Sequence, residues 1–254
     1  MKKIVLSGDY KELNSFIKEI ECNFENGGEW IKDARNKIKK ISVNGRNLCV
    51  KSFGKPTVFN RLMYSYFRKS KAQRSFEYGQ KLLKLGISTP APIAFVEIYN
   101  RWRFLKRAYY ISDFEEVDYH MTYVLNNDVP EKEVILGGFV RFMANGLHPN
   151  GIYHKDFNGS NILVKQMPTG AFSYSLIDLN RIKFGRPIGY HQGLRNMQQI
   201  NSNPLYLIEL ARYYASLKEI DENETIYELI FVKYIQCLQR RYTKRFLHSL
   251  KSHL

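Results

Sequence analysis

The chain has 254 residues, 44% hydrophobic and 25% charged, the balance of a folded protein with a real core and no long disordered or low-complexity stretch. Its three cysteines, Cys22, Cys49 and Cys237, are odd in number and far apart, which excludes a disulfide framework and a zinc site and fits a reducing cytoplasm. The formal net charge of +15 implies a polyanionic partner, and no apolar run approaches the roughly 18 residues that span a bilayer.

In chain order, Lys2 to Leu6 reads as a short strand and Tyr10 to Cys22 as a helix. Ile38 to Val43 and Leu48 to Phe53 alternate apolar residues around Asn44-Gly45, the pair that supplies the positive φ angles of a type I′ hairpin turn. Arg68 to Leu85 is charged and meets no breaker until Gly79, so it reads as a helix that Gly86 stops before the extended Thr89-Pro-Ala-Pro92 connector. Two strands follow, Ala94 to Tyr99 and Arg107 to Phe114. Pro130-Glu-Lys-Glu opens a helix that runs to about Leu147, with acids near the positive end of its dipole. A compact loop from His148 to Ser160 leads into strands at Asn161 to Lys165 and Ser173 to Asp178, and the rest from about Gly193 is helical. The order predicts an α+β protein: a strand-rich first third with one main helix, then a mostly helical remainder, divided into 1–116 and 117–254.

The chemistry concentrates in His154-Lys-Asp-Phe-Asn-Gly-Ser-Asn161, an H-x-D-x-x-x-x-N loop entering the apolar strand Ile-Leu-Val164, and in Leu176-Ile-Asp178, an apolar strand ending in an acid. Phosphoryl transfer needs one carboxylate to take the attacking hydroxyl's proton, and a second carboxylate with an amide oxygen to hold Mg²⁺ on the nucleotide phosphates. Leu48-Cys-Val-Lys51 is similar to the kinase strand that ends in a phosphate-binding lysine, and Glu77, the one acid between Ala34 and Val96, stands on the following helix where a lysine partner is expected.

These motifs, with Val50-Lys51-Ser-Phe53, Arg68-Lys-Ser-Lys-Ala72, Gly86-Ile-Ser-Thr-Pro-Ala-Pro92 and Ile177-Asp-Leu-Asn-Arg181, resemble the lipopolysaccharide kinase (Kdo/WaaP) family of the protein-kinase-like superfamily. The resemblance implies a bilobal protein-kinase-like fold, with a small antiparallel-sheet N-lobe and a mostly helical C-lobe. It implies that Lys51 binds nucleotide phosphates and Glu77 positions it, that Asp156 is the catalytic base, that Asn161 and Asp178 ligate Mg²⁺, and that His154 braces the loop. The implied reaction moves the γ-phosphate of ATP to a sugar hydroxyl, a Kdo or a heptose of the lipopolysaccharide inner core.

The chain departs from protein kinases at several points. No G-x-G-x-x-G precedes the hairpin, leaving Gly27-Gly28 and Lys32-Asp-Ala-Arg-Asn36 as candidates for phosphate cover. Asp178 is followed by Leu-Asn, no A-P-E follows, and Asn158 stands where many protein kinases place a lysine. These features point to a glycolipid or small-molecule acceptor. Kinases of soluble cationic molecules favour acidic pockets, opposite to the charge here; a silent polyanion-binding scaffold would have no need of Lys51, Asp156, Asn161 and Asp178 together.

From Ala34 to Phe76 there is no acid, and Lys69, Lys71 and Arg74, with Arg181 further on, are candidates for contact with the acceptor or an anionic membrane; Lys55 and Arg61 share that stretch. Ile226, Leu229, Ile230, Tyr234, Cys237 and Leu238 fall near helical spacing and are expected to pack on the helical lobe, and Trp30 and Trp102 read as packing residues. His120, His148, His191, His248 and His253 form no ligand pattern. No nucleic-acid partner and no obligate protein partner is expected, and the location implied is the cytoplasm, peripheral on the inner face of the inner membrane.

Overall fold

The structure, a computed structural model, describes residues 1–54 and 68–252, with side chains except those of 244, 247, 248 and 250–252. Lys55, Arg61, His253 and the side chain of His248 therefore lie outside the described residues. The chain folds as two units: Met1–Glu116 joined by Ser175–Asn180, and Val117–Tyr174 with Arg181–Leu254. A division after residue 116 alone leaves out the short segment that returns to the first unit.

In the first unit, β1 (Lys2–Leu6), β2 (Glu29–Lys32), β3 (Lys37–Val43), β4 (Arg46–Phe53), β5 (Pro92–Tyr99) and β6 (Leu105–Asp113) form one sheet in the order β1-β5-β6-β4-β3-β2. Its five strand pairings are all antiparallel. Asn44 and Gly45, at φ 51° and 76°, make the β3–β4 turn that the Asn-Gly pair predicts. Strand β2 gives no signal in the sequence because all four of its residues are exposed, so no alternation marks it.

Both faces of the sheet are covered. The segment predicted as one helix over Tyr10 to Cys22 is a 3₁₀ turn at Gly8–Leu13 followed by α1 (Asn14–Lys18) and α2 (Ile20–Asn26), broken where Glu19 leaves helical angles. Leu13, Ile17, Ile20 and Phe24 bury against Ile41, Leu48, Val50 and Ile111. On the other face, α3 (Lys71–Lys84) lays Ala72 and Phe76 against Phe53, Phe95 and Tyr110. Each large side chain so buried contributes about 1.5–3 kcal/mol. This two-sided burial fixes the position of Lys51. Strand side chains alternate, so with Leu48 and Val50 committed to α1 and α2, Lys51 shares the face of Phe53 and α3.

Helix α3 starts later than Arg68 because Ser70 caps it, its hydroxyl accepting from the Gln73 N–H at 3.1 Å. It ends in a Schellman motif. Gly86, at φ 72°, donates to the Leu83 carbonyl at 3.0 Å, and Ile87 donates to Leu82 at 2.9 Å.

The second unit holds β7 (Tyr119–His120), β9 (Ile162–Gln166) and the start of β10 (Phe172–Leu176), whose last two residues belong to the first unit, in a sheet ordered β10-β9-β7, and a β8 (Ile152–His154)–β11 (Ile182–Phe184) pair. Its helices are α4 (Met121–Asn126), α5 (Lys132–Arg141), α6 (Tyr190–Met197), α7 (Leu205–Lys218) and α8 (Glu222–Ser252). The helix predicted from Pro130 begins at Lys132, since Glu131 sits at φ 56°, and its last turn, Phe142–Leu147, widens to π geometry. Trp30 and Trp102 are not core residues: they are 49% and 63% exposed, on β2 and in the β5–β6 turn. Trp30 instead carries the Lys39 ammonium on its ring, 4.4 Å from the centroid.

His148, buried directly after the Phe142–Leu147 turn, sits against Tyr214 and is pushed down from the ordinary 6.5 to about 4, by burial first and by the Lys218 charge second. The unfolded chain takes up a proton as pH falls through 6.5, and the folded unit does not until about 4. Stability is therefore full above 6.5 and falls between these values, by on the order of 3 kcal/mol in the limit. Thermal unfolding of His148→Gln from pH 7.5 to 5 should show a flatter acid slope than the parent protein; parallel slopes would assign the acid loss to other groups.

Candidate active site

The expected site residues fall into two clusters, one in each unit. In the first, Lys51 on β4 places its ammonium 2.6 Å from Asp178 Oδ1. Both side chains are largely covered, at 14% and 24% exposure, so solvent screens the pair less than a surface one. Asp178 follows the end of β10 at φ 56°, in the left-handed region that aspartate tolerates better than most residues. The Asn180 amide donates to the same Asp178 oxygen at 2.7 Å.

Two anchors hold this turn. The connector after α3 supplies one: Thr89 donates through its hydroxyl to the Leu176 carbonyl at 2.7 Å, Leu176 donates to the Ser88 carbonyl at 3.0 Å, and the Ser88 and Ser175 hydroxyls share a bond of 2.8 Å. Helix α3 supplies the other: Arg74 donates to the Asn180 carbonyl at 2.7 Å, and a Cβ on Gly79 would stand 3.3 Å from Leu179 and 3.2 Å from Pro92, so glycine lets the helix approach the turn.

Three expectations change here. Glu77 does not pair with Lys51. It accepts from Lys69, just ahead of the Ser70 cap, at 2.8 Å and from Gln73, one turn before it, at 2.9 Å, while Asp178 faces Lys51. Lys69 is thereby drawn into a local pair, although its side chain stays 58% exposed. Arg74, expected as an acceptor or membrane contact, turns inward to a buried carbonyl two residues from Asp178. Lys71 lies beside them at the first turn of α3, half-buried.

Of the two candidates for phosphate cover, Lys32 to Asn36 lies at the β2–β3 turn, closed by Lys37–Asp33 at 3.2 Å; the Asn36 side chain accepts from the Gly54 N–H at 3.4 Å, at the end of the strand that carries Lys51. Gly27-Gly28 instead joins α2 to β2, where the Gly27 carbonyl accepts from Lys39 at 2.8 Å.

The second cluster is the loop after β8. His154 is fully buried; its Nδ1 accepts from the Asp156 N–H at 3.1 Å, and its carbonyl accepts from Asn196 on α6 at 2.8 Å. The Asn161 amide nitrogen donates to the Asp156 carbonyl at 2.9 Å, which turns its oxygen away from that bond. Asn158 caps the short 3₁₀ turn, its side chain accepting from Ser160 N–H at 3.0 Å. Phe157 packs under the loop against Phe139 and His154. The backbone of the loop is thus fixed while the Asp156 carboxylate stays 42% exposed, 3.2 Å from the guanidinium of Arg181.

Taken singly, the Asp178 carboxylate in the first unit and the Asn161 amide oxygen in the second are each a ligand type that magnesium takes. Among the described residues no three His, Cys, Asp or Glu side chains cluster.

Asn196, Thr89 and the inward role of Arg74 were not legible in the sequence as site features. A signal exists for Asn196 alone: it is a polar residue on the α6 face that buries Gly193, Leu194 and Met197.

An antiparallel sheet bearing a paired lysine and aspartate, with an H-x-D-x-x-x-x-N loop in a helical lobe, defines a phosphotransferase of protein-kinase-like fold. The chain belongs to the lipopolysaccharide kinase (Kdo/WaaP) family, whose model matches residues 25–200. Among solved structures, WaaP in complex with acyl carrier protein matches with a TM-score of 0.58 at 16% identity, covering 95% of this chain and 98% of that one. An aminoglycoside-3'-phosphotransferase of type VIII matches with a TM-score of 0.52 at 12% identity, covering 88% of this chain and all (100%) of that one. At these identities the likeness is one of fold. No curated protein matches the sequence.

Arg74→Ala should cost about 1.5–3 kcal/mol of stability, the range for a hydrogen bond from a charged donor. It should also raise the KM for nucleotide, because it frees the turn that carries Asp178. Lys69→Ala, which removes only the pair with Glu77, should leave that KM within a factor of about two. Equal effects of the two variants on nucleotide KM would detach Arg74 from the site.

Proposed function

We propose that this protein transfers the γ-phosphate of ATP, with Mg²⁺, to a hydroxyl of a sugar of the lipopolysaccharide inner core, a Kdo or a heptose, at the cytoplasmic face of the inner membrane. The observation that carries the reading is the Asp156 carboxylate, exposed at 42% on a loop whose backbone is pinned by His154 and Asn161, in a chain of the lipopolysaccharide kinase family.

In this reading Asp156 accepts the proton of the attacking sugar hydroxyl, and Arg181 meets an anionic group of the acceptor. Lys51 meets the nucleotide phosphates, with the β2–β3 turn as their cover. Asp178 and Asn161 would be the oxygen ligands of Mg²⁺, and the ion would supply charge neutralisation at the nucleotide phosphates. Asn180 and Lys51 hold the Asp178 carboxylate in place, at 2.7 and 2.6 Å. Fixed donors need no reorganisation at the moment of transfer, so pre-set geometry lowers the barrier.

Asp156→Asn should lower kcat by roughly 10²–10⁴, the usual share of a general base, with nucleotide binding nearly unchanged. ATP consumption against inner-core sugars and extracted lipopolysaccharide, with mass spectrometry of the product, measures both turnover and acceptor. Near-normal turnover in that variant removes Asp156 from the role of base, and phosphorylation of a soluble amino sugar alone would replace the glycolipid acceptor. Asp178→Ala should abolish thermal stabilisation by Mg·ATP while the apo protein still unfolds cooperatively; persistence of that stabilisation would rule out Asp178 as the ligand.

A further inference from the structure

The last helix, α8, runs 31 residues from Glu222 to Ser252. One side of it is committed to the protein. Thr225 and Leu229 are fully buried, the former accepting from Tyr190 at 3.0 Å, and buried Lys233 donates to the carbonyls of Gln198 and Asn201 at 2.8 and 2.6 Å. These residues recur every four positions and mark the inner face. The expected packing stripe is thus only partly right: Leu229 is buried, but Tyr234 and Cys237 are exposed.

The opposite side carries Tyr227, Phe231, Tyr234, Tyr242 and Phe246, each between 57% and 75% exposed. Their spacing of 4, 7, 15 and 19 residues from the first keeps them in one sector of the helix, about 28 Å long at 1.5 Å per residue. Arg245 lies in the same sector and Arg241, four residues before it, at its edge, both exposed. From Leu229 to the end of the chain there is no Asp or Glu. Exposed aromatic residues in a continuous row are unusual on a soluble surface and mark a place where something docks.

We propose that this aromatic and cationic face of α8 lies in the interface of an anionic phospholipid bilayer. Tyrosine and phenylalanine rings settle at the level of the headgroups, and arginines beside them meet the lipid phosphates. The helix does not cross the bilayer: no described helix is long and apolar enough to do so. Its inner face stays packed on α6 and α7, so the helix rests on the surface as part of the folded unit. Charge selects the lipid: the acid-free half of α8 suits phosphatidylglycerol and disfavours a neutral surface.

The test uses the full chain and vesicle flotation and needs no turnover, so its failure is distinct from failure of the kinase reading. Vesicles of phosphatidylethanolamine with a third phosphatidylglycerol are compared with phosphatidylcholine alone. The parent protein should float with the first and not the second, and rising salt should release it. Phe231→Ser/Tyr242→Ser/Phe246→Ser should weaken partition by at least about tenfold with an unchanged melting temperature, since these side chains face away from the core. Arg241→Glu/Arg245→Glu should remove the preference for phosphatidylglycerol. Phe231→Trp should blue-shift its emission on adding anionic vesicles. Undiminished binding by the aromatic triple variant, or no shift at Phe231→Trp, overturns the proposal. So does a lipid-free dimer in sedimentation that the triple variant converts to monomer, which would assign the stripe to a second copy of the chain.

Discussion

The ion pair between Lys51 and Asp178 brings together residues 127 positions apart, and much of the first unit can be read as what is needed to form it. The sheet must bury Leu48 and Val50 on one face for Lys51 to point to the other. The segment 175–180 must leave the second unit and return to the first for Asp178 to arrive. At the end of β10 the backbone must enter the left-handed region to turn the carboxylate toward the lysine. Such a conformation costs on the order of 1 kcal/mol or more and persists only where its surroundings over-determine it. Here they include Thr89, Ser88 and Arg74, all bonded to the six-residue segment, and within it the Asn180 amide bonded to Asp178.

The same device serves the second cluster in a different form. There the Asp156 carboxylate is left open, and the bonds that fix the loop go to the backbone beside it. His154 takes the Asp156 N–H and Asn161 takes its carbonyl, while Asn196 holds His154 from below. The carboxylate of Asp156 is spared from these bonds, and among the described contacts Arg181 addresses it.

The basic character of the chain divides along similar lines. Charge that looks continuous in the sequence is used in separate ways: Arg74 inside the fold, Lys69 in a helix-local pair, Lys39 against an aromatic ring, and Arg241 and Arg245 on an open face. Net charge of +15 sets the sign of the partner, but burial decides which cations are available to meet it.

The elements with strong local signals were legible from residues alone. The Asn-Gly hairpin, the Schellman stop at Gly86, the H-x-D-x-x-x-x-N loop and the strand leading into Asp178 each rest on backbone preferences or spacings that neighbours in sequence enforce. The kinase class was legible for the same reason, since a loop with an acid and an amide five residues further on writes its spacing into the chain. Contacts made across many residues left no such mark. Strand β2 is exposed along its length, the partner of Glu77 depends on which lysine lies nearer, and the inward turn of Arg74 depends on a carbonyl 106 positions away. Helix α8 shows the limit most directly. Apolar spacing established that it was amphipathic, but which of two faces packs was settled by Tyr190 bonding Thr225 and by Lys233 bonding Gln198 and Asn201, and those partners are brought to it only by the folded unit.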